Sequence, residues 1–236
     1  EIPGLTGISH WVEHMQFKGT PSFPASILDK AISRDGGYWN AFTYLDWTTF
    51  FETLPAQKID LALKLESDRM VNSDFDPEEV ESERTVIISE REGSENEPLF
   101  RLNEAVQSSA FTAHPYRNEI IGSLEDLHSI NRDDLYAHYQ NHYSPENAVL
   151  TMAGDFDTNE MLKVIQDIYG NIPSRPISKA EIQEDPPTTQ EIRVDVTGPG
   201  ETEFLQLAYR APKASDVDFF NFTVLDSLLT GPSGLN

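Results

Sequence analysis

The chain has 236 residues, and its 17 Lys and Arg against 40 Asp and Glu give a formal net charge of −23 at pH 7. This charge repels a phosphate backbone, so nucleic acid is excluded as an expected partner. The absence of cysteine excludes disulfides and thiolate metal sites, and leaves His, Asp and Glu as metal ligands. No apolar run approaches the roughly 20 residues of a membrane-spanning helix. We therefore expect a soluble globular protein, whose compartment the sequence leaves open.

The first predicted element is a helix over residues 7–17, with Thr6 or Ser9 as its N-cap. Residues four apart share one helix face, so His10 and His14 can direct ring nitrogens at one ion, with Glu13 beside them. A hydrolytic metal site needs such ligands and an acid that exchanges protons with water. An exposed helix face gives the same pattern by chance in about 1% of such chains. The motif alone leaves both interpretations open.

The following segments predict a mixed α/β fold. Aromatic and β-branched residues dominate residues 38–54, which predicts a β-hairpin that turns at Leu45–Asp46. Residues 173–190 are rich in proline and charge and predict a linker. Further helices are predicted over residues 24–34, 57–71, 99–110, 132–143, 158–169 and 216–230. Further strands are predicted over residues 147–155, 191–197 and 203–210.

A strongly signalled helix begins at Asp76, which is the expected N-cap, with Pro77 at the first helical position and Glu79 in a capping box. Gly93 is expected to follow its end. Glu83 and Glu90 are seven residues apart, or two full turns, and share one face of this helix. Five other glutamates lie in the same segment, so composition alone does not choose a third ligand: Glu78, Glu79, Glu81, Glu92 and Glu95.

A second pair of histidines, His138 and His142, also lies four apart on a predicted helix. No acid separates them, and partly protonated imidazoles interact well with the dipole at a helix C-terminus. We therefore interpret this pair as structural. The aromatic residues are predicted to be core, except Phe42, which is a candidate for the site. These core candidates are Trp11, Trp39, Trp47, Phe50 and Phe51.

The segment GISHWVEHMQFKGT, residues 7–20, resembles the signature of the inverzincin metallopeptidases, the family of pitrilysin, insulysin and the mitochondrial processing peptidase. In that family the third zinc ligand is a glutamate about 76 residues beyond the second histidine, a position that Glu90 occupies here. A family glutamate seven residues earlier corresponds to Glu83. GGYWNAFT at residues 36–43 is similar to the family's edge strand. Residues 61–90, 114–127 and 143–157 also resemble family segments.

The resemblance implies a zinc-dependent endopeptidase. It assigns Zn2+ to His10, His14 and Glu90, and gives Glu13 the role of base and then acid. It gives Glu83 the task of orienting a ligand. An extended peptide substrate is expected to add as a strand, bound by Asn40, Ala41, Phe42 and Thr43.

The resemblance also implies a fold in which helices pack on a mixed sheet, as half of a two-part clamp that encloses the substrate. Residues 1–185 are expected to form the zinc-bearing domain without its first strands. Residues 186–236 are expected to open the second homologous half, with the chain truncated at both ends. That half would belong to the same full-length chain or to a partner subunit, and it supplies an Arg and a Tyr that stabilise the oxyanion. The alternatives are therefore a fragment inactive without it, or a non-catalytic substrate-binding or scaffold subunit.

Overall fold

A computed structural model describes residues 2–177, 181–198 and 201–231, and its contacts divide the chain into two compact units, residues 1–198 and 199–236. The predicted α/β fold is confirmed. The first unit contains helices α1 (Ile8–Met15), α2 (Ala25–Arg34), α3 (Ile59–Asn72), α4 (Pro77–Ser94), α5 (Pro98–Ala110), α6 (Leu124–Ser129), α7 (Arg132–His142) and α8 (Thr158–Tyr169). The second unit contains α9 (Phe219–Thr230). The predicted division at residues 185 and 186 stays a prediction.

The predicted hairpin is confirmed as strands β1 (Tyr38–Thr43) and β2 (Thr48–Thr53). The strands are antiparallel, and their register runs from Tyr38 opposite Thr53 to Thr43 opposite Thr48. The Tyr44 N–H donates to the Trp47 carbonyl at 2.8 Å and closes the turn. The hairpin is therefore the frame that sets which side chains face the helices.

The strands predicted over residues 147–155, 191–197 and 203–210 are not formed, since none of these segments is assigned to a strand. A strand needs a neighbour that accepts and donates its ladder of backbone hydrogen bonds. In the described ranges the sheet consists of β1 and β2, so the expected mixed sheet is an antiparallel pair. Val149, in the first of these segments, is 92% exposed.

Helix α1 begins after Gly7, and the prediction of Thr6 or Ser9 as its N-cap is wrong. Gly7 has φ +85°, and a Cβ there would overlap the Ile121 carbonyl, so only glycine fits this close crossing. Thr6 instead donates its backbone N–H to the Asp126 carboxylate at 2.9 Å. The start of α1 is thus fixed by the loop before α6.

The N-cap at Asp76 and Pro77 at the first position of α4 agree with the prediction, whereas the second hydrogen bond of the capping box, from the Asp76 N–H to the Glu79 side chain, is not formed in the described residues. The Asp76 carboxylate accepts hydrogen bonds from the backbone N–H groups of Glu78 at 2.8 Å and Glu79 at 3.3 Å. Such a cap satisfies donors that a helix N-terminus otherwise leaves unpaired. The helix continues through Gly93 to Ser94, so its predicted end was slightly early.

The main core surrounds α1, which packs against α4 and α7. Trp11, Val12 and Met15 are 0% exposed, as are Ile87 of α4 and Tyr139 of α7. The prediction that the aromatic residues are core holds fully for Trp11. It is wrong for Trp47, which is 53% exposed beside the hairpin turn.

Other core candidates are only partly buried. Trp39 packs at the edge of a second cluster formed by Leu28, Ile32 and Leu65. Phe50 and Phe51 are also partly buried. No helix in the described ranges is both long and apolar enough to cross a membrane.

His138 and His142 lie at the end of α7, with ring centroids 4.4 Å apart, and His138 Nε2 lies 3.0 Å from Ser9 Oγ. Burial, and then the neighbouring His142, lowers the pKa of His138 to about 3. Burial also lowers the pKa of His142. The expectation that these two imidazoles are partly protonated is therefore wrong, since burial disfavours the charged form of both rings.

The substitution Tyr139→Phe tests the hydrogen bonds that the Tyr139 hydroxyl makes in this core. This hydroxyl donates to the Arg69 carbonyl at 2.8 Å and accepts from the Ser73 N–H at 3.2 Å. Tyr139→Phe leaves two buried backbone groups without this partner, so we expect the free energy of unfolding to fall by about 1–3 kcal/mol. Denaturant titration measures the change. Tyr136→Phe, at an exposed tyrosine of the same helix, should cost less than about 0.5 kcal/mol; equal losses would contradict the expectation.

His138 predicts a pH effect on stability. Between pH about 3 and 6.5 the unfolded chain binds a proton at this residue that the folded chain does not. The contribution of His138 to stability therefore rises with pH, by at most about 1.4 kcal/mol per unit. Relative to wild type, His138→Gln should lose this slope in denaturant titrations from pH 5 to 7. His128→Gln, at an exposed side chain, is the control; a slope unchanged in His138→Gln would refute the expectation.

Candidate metal centre

The structure brings the three predicted ligands together between α1 and α4. His10 and His14 lie one turn apart on α1, with their Nε2 atoms 3.2 Å from each other. Glu90 Oε2 lies 3.6 Å from His14 Nε2 and 3.9 Å from His10 Nε2. Among the described residues these three form the group of His and acidic side chains whose ligand atoms all lie within 4.8 Å of one another.

These separations fit a zinc ion. Bonds of about 2.0–2.2 Å in a tetrahedral site place neighbouring ligand atoms about 3.3–3.6 Å apart. A point equidistant from the three atoms lies about 2.1 Å from each of them. Two imidazoles and a carboxylate also form a donor set that zinc accepts. The three side chains thus fit a zinc ion, while their assignment as zinc ligands stays a prediction.

Glu83, predicted to orient a ligand, contacts His14. Its Oε1 lies 2.8 Å from His14 Nδ1, which favours the tautomer with a proton on Nδ1 and a lone pair on Nε2, toward Glu90. Its other oxygen pairs with Lys18 Nζ. Burial raises the pKa of Glu83 most strongly, but the hydrogen bonds and charges of His14 and Lys18 outweigh it and lower that pKa. The spacing of residues along the sequence did not predict that Lys18 pairs with Glu83.

The two histidines have opposite pKa shifts. Burial, and then the charge of His14, lowers the pKa of His10 to about 4. For His14, burial is the largest effect and lowers the pKa, but the hydrogen bond that its Nδ1 donates to Glu83 and the charges of Glu90, Glu83 and Glu13 raise it overall. His10 Nδ1 is buried and has no hydrogen-bond partner among the described residues. At neutral pH His10 is therefore neutral, the form that binds metals.

Glu13 lies beside the two histidines and is 7% exposed. Its Oε2 accepts a hydrogen bond from Thr43 Oγ1 at 2.5 Å. Burial raises the pKa of Glu13 most strongly; the Thr43 hydrogen bond and His14 lower it, and Glu90 raises it further, with a net increase. A carboxylate with a raised pKa exchanges protons more readily near neutral pH.

The centre opens into a cleft of about 710 Å³. Its predicted members are His10, Glu13, Glu90, Ala41, Phe42 and Thr43. Residues that we did not predict line it as well: Glu97, Phe100, Glu119, Ile120 and Ile121. These come from the start of α5 and the loop before α6, so their spacing along the chain gives no signal of a shared site. The cleft is acidic and partly apolar.

The predicted substrate strand borders this cleft. One edge of β1 pairs with β2, and its other edge has no strand partner in the described ranges. Ala41, Phe42 and Thr43 line the cleft, whereas Asn40 is not among the lining residues and donates to the Tyr38 hydroxyl at 3.1 Å. The Thr43 hydroxyl is directed at Glu13, a contact that the substrate-binding prediction did not include.

Comparison with known proteins gives consistent results. The chain is 28% identical, over 233 residues, to the uncharacterized zinc protease YmxG of Bacillus subtilis. The aligned region covers 98% of this chain and 56% of that protein. A protease from Helicobacter pylori has a similar structure, with TM-score 0.74 and 27% identity over 77% of this chain and 45% of that one. The first half of the periplasmic protease PqqL from Escherichia coli has TM-score 0.68 and 25% identity, over 77% and 40%. The chain thus spans about half the length of these relatives.

Two family models match the chain. One is described as "Insulinase (Peptidase family M16)" and matches residues 1–124; the other is described as "Peptidase M16 inactive domain" and matches residues 129–235. The first match covers more than half of the chain and all the predicted ligands. The resemblance indicated by residues 7–20 is thereby confirmed, and the protein belongs to the insulinase family of peptidases, peptidase family M16.

Proposed function

We propose that the chain carries the zinc centre of an endopeptidase that hydrolyses extended peptides. The observation that carries this proposal is the convergence of His10, His14 and Glu90 around one point, with the Glu13 carboxylate beside them in an open cleft. A metal site of this kind, with an acid at hand, suits hydrolysis of a peptide bond.

The substrate is proposed to bind as an additional strand along β1. Backbone N–H and C=O groups at a free sheet edge pair with an extended peptide, and this pairing fixes the register of the peptide. Ala41, Phe42 and Thr43 border both this edge and the cleft, so a peptide paired there passes in front of Glu13. The acidic residues of the cleft support a substrate that is basic or neutral.

The residues of the chain then divide the chemistry. Zinc, when bound, would polarise the scissile carbonyl and lower the pKa of a water molecule toward about 7. Glu13 accepts a proton from the attacking water and later donates it to the leaving nitrogen. Because Oε2 already accepts a hydrogen bond from Thr43, we assign this transfer to Oε1, which does not. Glu83 accepts the hydrogen bond from His14 Nδ1 throughout the reaction, so the proton stays on that nitrogen.

The second homologous half is proposed as the partner that completes the enzyme, in the same full-length chain or in a separate subunit. The similarity to the first half of a larger protease supports it. The second candidate function is a non-catalytic substrate-binding or scaffold role, which the match of residues 129–235 to a domain described as inactive favours. The first experiment below separates the two.

Glu13→Gln tests the catalytic role. The amide accepts no proton from water, so we expect peptide hydrolysis to fall by roughly 10²- to 10⁴-fold while one zinc ion per chain stays bound. Fluorogenic peptides and metal analysis measure the two quantities, on the chain alone and with its second half supplied.

The control is Glu92→Gln, which removes an exposed glutamate two positions beyond Glu90 and should change neither quantity. Bound zinc without hydrolysis of any library peptide, in wild type as in Glu13→Gln, would support the scaffold role instead.

Glu83→Gln tests the orientation of His14. Replacing the charged acceptor of the Nδ1 hydrogen bond with a neutral amide should weaken zinc binding by roughly 10- to 100-fold at pH 8. Without the charge of Glu83 the pKa of His14 falls, so the proton competes less with zinc in the variant. The ratio of the two dissociation constants should therefore shrink as pH falls from 8 to 6.

Competition with a chelator of known affinity measures both constants. Glu78→Gln, at an exposed position near the start of α4, is the matched control and should bind zinc as wild type does. A ratio that stays constant with pH would show that Glu83 does not set the protonation of His14.

A further inference from the structure

Glu13 stands at the end of a row of hydroxyl groups. Thr43 Oγ1 donates to Glu13 Oε2 at 2.5 Å. Thr48 Oγ1 lies 3.0 Å from Thr43 Oγ1, and the Tyr143 hydroxyl lies 3.5 Å from Thr48 Oγ1. Neither Thr48 nor Tyr143 is among the residues that line the cleft in the described part of the chain, and the mechanism above uses neither.

The row has a direction because each hydroxyl carries a single proton. An ionised Glu13 only accepts, so the Thr43 proton points to its carboxylate. The 3.0 Å contact between the threonines is then a hydrogen bond only if Thr48 donates to Thr43. The Tyr143 hydroxyl also has a single proton, which it can donate either to the Ser9 carbonyl at 3.4 Å or to Thr48 Oγ1 at 3.5 Å. Its contact with Thr48 is therefore the longest of the row.

We propose that Thr48 is a positioning residue for Glu13, which acts by donating to Thr43 and so fixes the Thr43 proton on Glu13 Oε2. The inference deepens the proposed function and rests on it, because the effect on hydrolysis exists only if Glu13 exchanges protons with water. The donor holds Oε2, so the same oxygen, Oε1, is presented to the cleft in every molecule.

The hairpin supplies this arrangement. Thr43 and Thr48 are the last opposed pair of the β1–β2 register, and directly opposed side chains lie on the same face of a sheet. A slip of one residue would turn Thr48 to the other face. The two threonines flank the turn whose Tyr44 N–H donates to Trp47. Turn geometry thus decides whether Thr48 can reach Thr43.

The experiment compares Thr48→Val with Thr48→Ser in the zinc-loaded chain with its second half supplied. Valine matches the shape of threonine without the hydroxyl and suits a strand, so Thr48→Val should fold. We expect its kcat to fall roughly 3- to 10-fold with KM within about twofold, since the peptide does not contact Thr48. Thr48→Ser should restore most of kcat. Thr53→Val, at an exposed position on the same strand, should behave as wild type.

A second readout does not depend on activity. In zinc-free protein labelled with ¹³C at glutamate carboxyl groups, the Glu13 resonance, assigned with Glu13→Gln, should shift in Thr48→Val and stay in place in Thr48→Ser and Thr53→Val. If Thr48→Val does not fold, Thr48→Ala takes its place in both measurements. Tyr143→Phe should cause a smaller shift in the same direction.

The outcomes separate the two proposals. A wild-type chain that cleaves nothing, with the Glu13 resonance shifted in Thr48→Val but not in Thr48→Ser or Thr53→Val, removes the proposed function and leaves the hydrogen-bonded row intact. A wild-type kcat and an unmoved resonance in Thr48→Val overturn the positioning role. A Thr48→Ser variant as slow as Thr48→Val also overturns it, because the hydroxyl would then not be the group that matters.

Discussion

The site depends on the packing of α1, a helix of eight residues that serves the core and the cleft at once. Trp11, Val12 and Met15 are 0% exposed, while His10 and His14 keep 19% and 17% of their side chains exposed. The buried residues fix the rotation of the helix about its axis, so both histidines face α4, where Glu83 contacts His14 Nδ1 at 2.8 Å. Loss of this packing would disperse the ligands before any of them is changed.

Burial near the metal centre forces the charges into a definite pattern. Removing an ionised group from water is costly unless an opposite charge or hydrogen bonds compensate. Burial, and then the charge of His14, lowers the pKa of His10 to about 4, although Glu90 lies 3.9 Å from its Nε2. The Glu83 carboxylate contacts both His14 and Lys18, and their hydrogen bonds and charges outweigh burial and lower its pKa. Burial therefore leaves the predicted ligand His10 neutral, whereas the partners of Glu83 keep that carboxylate ionised beside His14. Lys18 thus contributes to the state of the site without bordering the cleft.

Much of this arrangement could be predicted where it follows from helical spacing. His10 with His14, and Glu83 with Glu90, repeat at one and two turns, and the resemblance then selected Glu90 and Glu83 among seven glutamates of the segment. Glu97 and Glu119 could not be found in this way, because tertiary packing alone brings them to the cleft.

The strands predicted beyond the hairpin failed for a related reason. An apolar run such as residues 147–155 favours extended backbone. Whether it becomes a strand depends on a neighbouring strand with which its backbone can pair, and that neighbour is set by the tertiary structure. The start of α1 was also missed, since the backbone crossing at Gly7 is visible only once Ile121 is in place. Predictions that depend on spacing within one helix agree with the structure. Predictions that depend on which other segment packs against an element do not.

In the proposed function, the hairpin links substrate binding to the chemistry of Glu13. The edge of β1 without a strand partner in the described ranges borders the cleft, and Thr43 of the same strand lines the cleft and contacts Glu13 through its hydroxyl. Shifting the register to suit a different peptide would also move this contact, so the two properties cannot vary independently. Variation in substrate preference is therefore easier at Phe100 or Glu119, which line the cleft from other elements and make no hydrogen bond to Glu13 in the described part of the chain.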